Sequence, residues 1–163
     1  MYVKNLLMKE TITNSTRPKV LAVASFGGHL VQLLRMMRPL AHMADVAVVS
    51  TAEEGRPSGF GSYDVIADFS RTTPWRAVTQ AGKLRRIIKR ERPDLVISTG
   101  AAPGLLAIAV AKMMGIRTIW VDSIANADRL SGSGKIASKI ADKTLTQWPH
   151  LAGNGVECHG NVL

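Results

Sequence analysis

Residues 20–34 read VLAVASFGGHLVQLL, and this stretch decides the fold. Val20 to Ala24 is a short apolar run ending near glycine, the pattern of a strand buried on both faces of a parallel sheet. From Leu30 onward, Leu33, Leu34, Met37 and Ala41 recur at helical spacing and make one apolar face. Gly27 and Gly28 therefore stand where a strand turns into a helix, with His29 beside them. Such a turn exposes unpaired N–H groups and the positive end of a helix dipole, which suits phosphate. A plain ligand-free turn and a capping or core histidine fit the same residues.

The same alternation continues along the chain. Val46 to Val49 reads as a second strand, and Pro39 ends the helix before it. Glu53 to Ser62, with four Gly or Pro residues, reads as a surface loop. Asp64 to Ile66 is a short third strand. Thr73-Pro74 is a helix start, with Thr73 as N-cap, and the helix runs to about Arg90. Leu95 to Ile97 is a strand, followed by the small-residue loop Ser98-Thr99-Gly100-Ala101-Ala102-Pro103-Gly104. Leu105 to Met114 is apolar nearly all round and predicts a buried helix closed by Gly115. Thr118 to Val121 is a strand. A helix around Lys135 to Ala141 and a last strand near Thr144 to Thr146 complete the reading. Strands alternating with helices imply an α/β, doubly wound, Rossmann-like parallel sheet. Both glycine loops and Val121-Asp122-Ser123 then fall at the carboxyl ends of strands, where such folds bind ligands.

The chain has 163 residues and a formal charge of +9. It reads as a tail over 1–18 and one domain over 19–163. Leu6, Leu7 and Met8 leave a short interfacial helix in the tail as an alternative. No run reaches the roughly 18 to 20 apolar residues of a transmembrane helix. A single cysteine, Cys158, permits no internal disulfide. Cys158-His159 has no partner pair with zinc spacing, and no Asp-x-Asp offers a carboxylate pair for a divalent metal. The first loop is G-G-H rather than G-x-G-x-x-G, and Ser50-Thr51 stands where a ribose-binding acid would sit, which disfavours NAD. Asp122 ends a strand as a site carboxylate or as a cap of the following loop.

Charge concentrates on one helix. Between Trp75 and Arg92 lie seven basic residues and one acid, a net +6 of the +9. Ala77, Ala81, Leu84 and Ile88 share the packing face, and at about 100° per residue Trp75 projects to the basic side. Tryptophan beside Arg76, Arg85, Arg86, Lys89 and Arg90 suits an anionic membrane surface. The alternative is a solvated basic face with Trp75 in the core. Nucleic acid is disfavoured, because the chain lacks clustered aromatics for base stacking and any helix-turn-helix, zinc-finger or RRM pattern.

In order along the chain, SFGGHLVQLL, STG, WVDSIANADRLSGSGK and ADKTLTQWPHL form a joint pattern. It resembles the membrane-anchoring subunit of the two-subunit dolichol-pathway N-acetylglucosaminyltransferase, and more closely its bacterial exopolysaccharide homologues of the PssD type. Both are similar to the N-terminal half of MurG-like GT-B glycosyltransferases. The resemblance spans Lys19 to Leu163 and implies the acceptor half of a GT-B fold. It implies a separate catalytic subunit that binds the UDP-sugar, with no cofactor held by this chain. It places Gly27, Gly28, Ser98, Thr99 and Gly100 at the diphosphate of a polyprenyl-linked acceptor, and Ser123 and Asn126 along the acceptor site. It puts the Trp75 helix on the bilayer and Val162-Leu163 near the partner. His29 is then the first candidate for the base of an inverting, UDP-sugar-dependent transfer, and Asp122 the second. Eukaryotic members carry an N-terminal transmembrane helix that this sequence does not show, so the expected location is peripheral, at the cytoplasmic face of the cell membrane. Two other readings stay open: a non-catalytic recruitment module for the partner, and a free-standing nucleotide-binding enzyme.

Overall fold

The computed structural model describes residues 17–69 and 74–161. Seven strands form one sheet: β1 (Lys19–Val23), β2 (Asp45–Ser50), β3 (Tyr63–Val65), β4 (Leu95–Ser98), β5 (Arg117–Val121), β6 (Lys143–Thr146) and β7 (Val156–Cys158). Their spatial order is β3-β2-β1-β4-β5-β6-β7, and every pairing is parallel. The order reverses between β1 and β4, so the switch point lies there.

Helices cover both faces. α1 (Gly28–Met37) sets Leu30, Leu33 and Met37 on one face of the sheet, against Val20, Ala22, Val48 and Ile97. α2 (Pro74–Glu91) and α3 (Ala101–Met113) take the other face. There Leu84, Ile88, Ala107 and Ile108 pack on Leu21, Val23, Val49 and Val96. Alternate residues of β1 thus serve opposite cores, as the period of two requires. α4 (Gly132–Ala137) packs beside α3.

Three expectations change. Ala101 to Gly104, read as loop, form the first turn of α3, with Gly100 as its N-cap. The helix foreseen at Lys135 to Ala141 lies earlier and is shorter. Ser131 caps it by accepting from Gly134 N, and this cap offsets two glycines that weaken a helical pattern. β7 was not foreseen. Three residues between Gly155 and Gly160 are too short to show a period, and their strand state comes from pairing with Thr144 to Thr146. The tail over residues 1–16, Thr73, Val162 and Leu163 lie outside the described residues.

At the amino end of the sheet, Glu91 accepts from Lys19 (2.7 Å), Arg90 (2.8 Å) and Ser62 (3.0 Å). Burial alone would push its carboxyl up, but these hydrogen bonds together outweigh burial and hold it below the ordinary glutamate value. Asp142 is likewise held low, because Lys112 and Thr118 outweigh its burial. A depressed folded-state value stabilises the fold above the unfolded value and loses that contribution as pH falls through the folded one. The melting temperature should therefore drop below about pH 4. Melting curves from pH 7 to pH 3 check this, and Glu91→Gln should flatten the dependence.

Candidate functional site

β1 and β4 both end in glycine caps. Gly27 (φ 100°, ψ −143°) precedes α1, and Gly100 (φ 145°, ψ −176°) precedes α3. Neither helix has a side-chain cap or an acid in its first turn. Two helix N-termini with unspent N–H groups therefore meet at the switch point. Ala101 follows at φ 64°, a left-handed conformation that a non-glycine residue adopts only when its surroundings impose it.

His29 joins the two loops. Its Nδ1 lies 3.0 Å from the Thr99 carbonyl, while Thr99 Oγ1 donates back to the His29 carbonyl at 2.7 Å. A carbonyl only accepts, so Nδ1 carries a proton, and in the neutral tautomer the lone pair lies on Nε2. No hydrogen bond reaches Nε2 among the described residues. The ring lies over Gly100 so closely that a Cβ there would sit 2.4 Å from it.

Ser98 and Thr99 are fully buried. Ser98 Oγ accepts from Gly100 N at 3.3 Å and is covered by Gly104, whose added Cβ would lie 2.0 Å away. The Thr99 hydroxyl is given to His29. Neither hydroxyl faces outward, so their contribution is to shape the loop.

Asp122 is also internal, 2% exposed. Its carboxylate accepts from Trp120 Nε1 (3.1 Å), Ser131 N (2.8 Å) and Ser131 Oγ (2.6 Å). Of the two readings of this residue, the cap is the one its contacts describe. Ser123 and Asn126 are half-buried on the loop it anchors, where Asn126 N donates to the Ser123 carbonyl.

Several supports were not read from the sequence. Gln32 and Gln147 are buried and both donate to the Asp122 carbonyl (3.3 and 3.1 Å). Trp148 Nε1 donates to the Ile124 carbonyl (2.8 Å), and His150 Nε2 to that of Ala127 (2.6 Å). Thr51 Oγ1 accepts from Phe26 N at 2.9 Å. Helical period gave no signal for Gln32, which at about 100° per residue falls nearly opposite the stripe of Leu30, Leu33, Leu34 and Met37.

On α2 the basic side is as expected, with exceptions. Trp75 is 66% exposed and Val78 75%, while Leu84, Ile87 and Ile88 are buried. Because α2 returns antiparallel to the strands, Trp75 and Arg76 lie at the carboxyl end of the sheet, the end that also carries Gly27 and Gly100. Lys89 is about 21 Å further along the helix axis. Arg90 is tied to Asp64 and Glu91 at the opposite end, and those two carboxylates raise its pKa against a smaller opposing effect of burial. Arg90 therefore stands apart from the residues expected to meet a membrane. Among the described residues, no helix is long and apolar enough to cross a membrane, and no three His, Cys, Asp or Glu side chains converge as metal ligands.

The family of Alg14-like oligosaccharide biosynthesis proteins matches residues 66–160, more than half of the chain. The chain belongs to this family. It is 23% identical over 178 residues to a UDP-N-acetylglucosamine transferase subunit ALG14 of Yarrowia lipolytica, covering 91% of this chain and 82% of that protein. The human subunit of the same name is also 23% identical, over 90% of this chain and 82% of its own length. Among solved structures, MurG of Acinetobacter baumannii superposes with a TM-score of 0.73 at 14% identity, covering 90% of this chain and 46% of MurG. A UDP-GlcNAc 2-epimerase of Neisseria meningitidis, solved with UDP-GlcNAc bound, gives 0.68 at 14% identity, over 88% of this chain and 47% of the epimerase. The chain thus spans about half the length of these structures, and the likeness is one of fold.

Proposed function

We propose that this Alg14-family chain is the acceptor-binding subunit of a two-subunit glycosyltransferase, whose partner binds the UDP-sugar. The observation that carries this reading is the pair of uncapped helix N-termini at Gly27 and Gly100, joined across the switch point by His29 and Thr99. Two adjacent clusters of backbone N–H groups suit a diphosphate better than one, with Gly27, Gly28 and Gly100 giving the backbone access. The acceptor is a polyprenyl-diphosphate-linked saccharide. Ser123 and Asn126 line its sugar end, and no metal or cofactor held by this chain takes part.

In the transfer, an acceptor hydroxyl oxygen attacks the anomeric carbon of the UDP-sugar and UDP leaves, which inverts that carbon. The hydroxyl proton passes to His29 Nε2, the ring nitrogen that the Thr99 contact leaves available. The test is sugar transfer by this chain with its partner, using a UDP-sugar and a polyprenyl-diphosphate saccharide. His29→Ala should cost at least about hundredfold in kcat at unchanged donor KM. Full turnover in that variant removes His29 from the chemistry, leaving a recruitment role for the chain. Full turnover by this chain alone overturns the two-subunit reading.

The exposed Trp75 and Val78, with Arg76, Arg85, Arg86 and Lys89, support a peripheral position on an anionic cytoplasmic membrane surface. Sedimentation with vesicles rich in phosphatidylglycerol should weaken more than about tenfold in an Arg85→Glu/Arg86→Glu protein. Unchanged sedimentation would count against this face.

A further inference from the structure

We propose that Gln32 is a positioning residue for transfer, holding the loop from Asp122 to Ser131 at a fixed distance from His29. The proposal rests on the acceptor-site reading above.

Gln32 lies one helical turn after His29 on α1 and is 4% exposed. Its side chain grips both peptide groups that flank Ser123. Oε1 accepts from Ile124 N at 3.1 Å, and Nε2 donates to the Asp122 carbonyl at 3.3 Å. Gln147 Nε2, from the end of β6, donates to the same carbonyl at 3.1 Å, so both lone pairs of that oxygen are used. Gln32 is buried at the edge of the helix face that Leu30, Leu33 and Met37 form. An apolar side chain would fill this position without desolvating an amide and without the matching geometry an amide demands. The amide does one thing a methionine cannot: it fixes the loop in register with α1. α1 is also bound to the other loop through His29 and Thr99. The candidate base and the acceptor loop are therefore attached to one rigid helix, three residues apart.

Gln32→Met keeps the volume and removes both hydrogen bonds. In the complex with the partner, kcat should fall by about tenfold or more, because a shift of about 1 Å in a reacting group costs up to hundredfold. The UDP-sugar KM should stay within about twofold, since the partner holds the donor. Hydrogen exchange at the Ile124 amide should accelerate. Gln147→Met should do less, because Gln32 still holds Asp122 and Ile124. A lowered melting temperature with unchanged kcat per folded complex would mean that Gln32 serves only the fold, and would overturn the proposal. Unchanged exchange at Ile124 would overturn it on structural grounds, whatever the activity. A wild-type complex without transfer defeats the acceptor-site reading instead, and with it the catalytic role of Gln32, while the exchange arm still decides whether the clamp exists.

Discussion

Gly100→Ala is expected to abolish sugar transfer by the complex while leaving the sheet folded. The backbone at Gly100 (φ 145°, ψ −176°) lies in a region that is nearly glycine-only, so any side chain there costs about 1–3 kcal/mol. Space is the larger constraint. The new Cβ would lie 2.4 Å from the His29 ring, against about 3.4 Å for ordinary contact, so the ring must recede by about 1 Å. That movement breaks the Nδ1 bond to Thr99, which sets both the tautomer and the direction of Nε2. If His29 is the base, a displacement this large costs about hundredfold or more in rate, and the crowded cap also narrows the approach to the α3 N-terminus. The measurement is kcat of the complex beside a melting curve. Gly82→Ala, at a helix position where an added Cβ meets nothing, is the matched control and should melt slightly higher. A Gly100→Ala complex with wild-type turnover would show that the His29 geometry is irrelevant to the reaction.

This dependence also explains which parts of the site were legible in the sequence. Gly27, Gly28, His29 and Gly100 announce themselves, because glycines between a strand and a helix mark a backbone turn at the ligand-binding end of the sheet. The basic, tryptophan-bearing side of α2 follows from helical period alone. What period cannot show is direction within a loop. Ser98, Thr99 and Asp122 carry the right chemistry at the right end of their strands, yet each turns inward onto protein partners. Arg90 has the right charge on the right helix, but Asp64, 26 residues away, ties it to the far end. The buried amides Gln32 and Gln147 act on a carbonyl 90 and 25 residues distant, separations at which local pattern carries no information. β7 was missed for a related reason: its strand state belongs to its neighbour β6 rather than to its own three residues.

Asp122→Ala is expected to fail as a fold mutation before it fails as a catalytic one. Removing the carboxylate strands the buried Trp120 indole N–H and the Ser131 N–H, and it frees the Ser131 hydroxyl that caps α4. Each buried donor left without an acceptor costs about 1–3 kcal/mol, and bonds to a charged group lie at the upper end. A total of about 3 kcal/mol corresponds to a melting temperature lowered by about 6–12 °C at this size. Trp120 is itself fully buried in the core beneath α3, so the disturbance should reach the packing of β5. Turnover should fall as well, because the loop bearing Ser123 and Asn126 loses its anchor at the Ser131 end. Asp122→Asn separates the two readings. It keeps the shape of the side chain and one acceptor oxygen, but its NH2 group must face either the Ser131 or the Trp120 donor, so its melting temperature should drop too. An Asp122→Asn complex that melts like wild type and transfers no sugar would instead make Asp122 the base, and would reduce His29 to an acceptor contact.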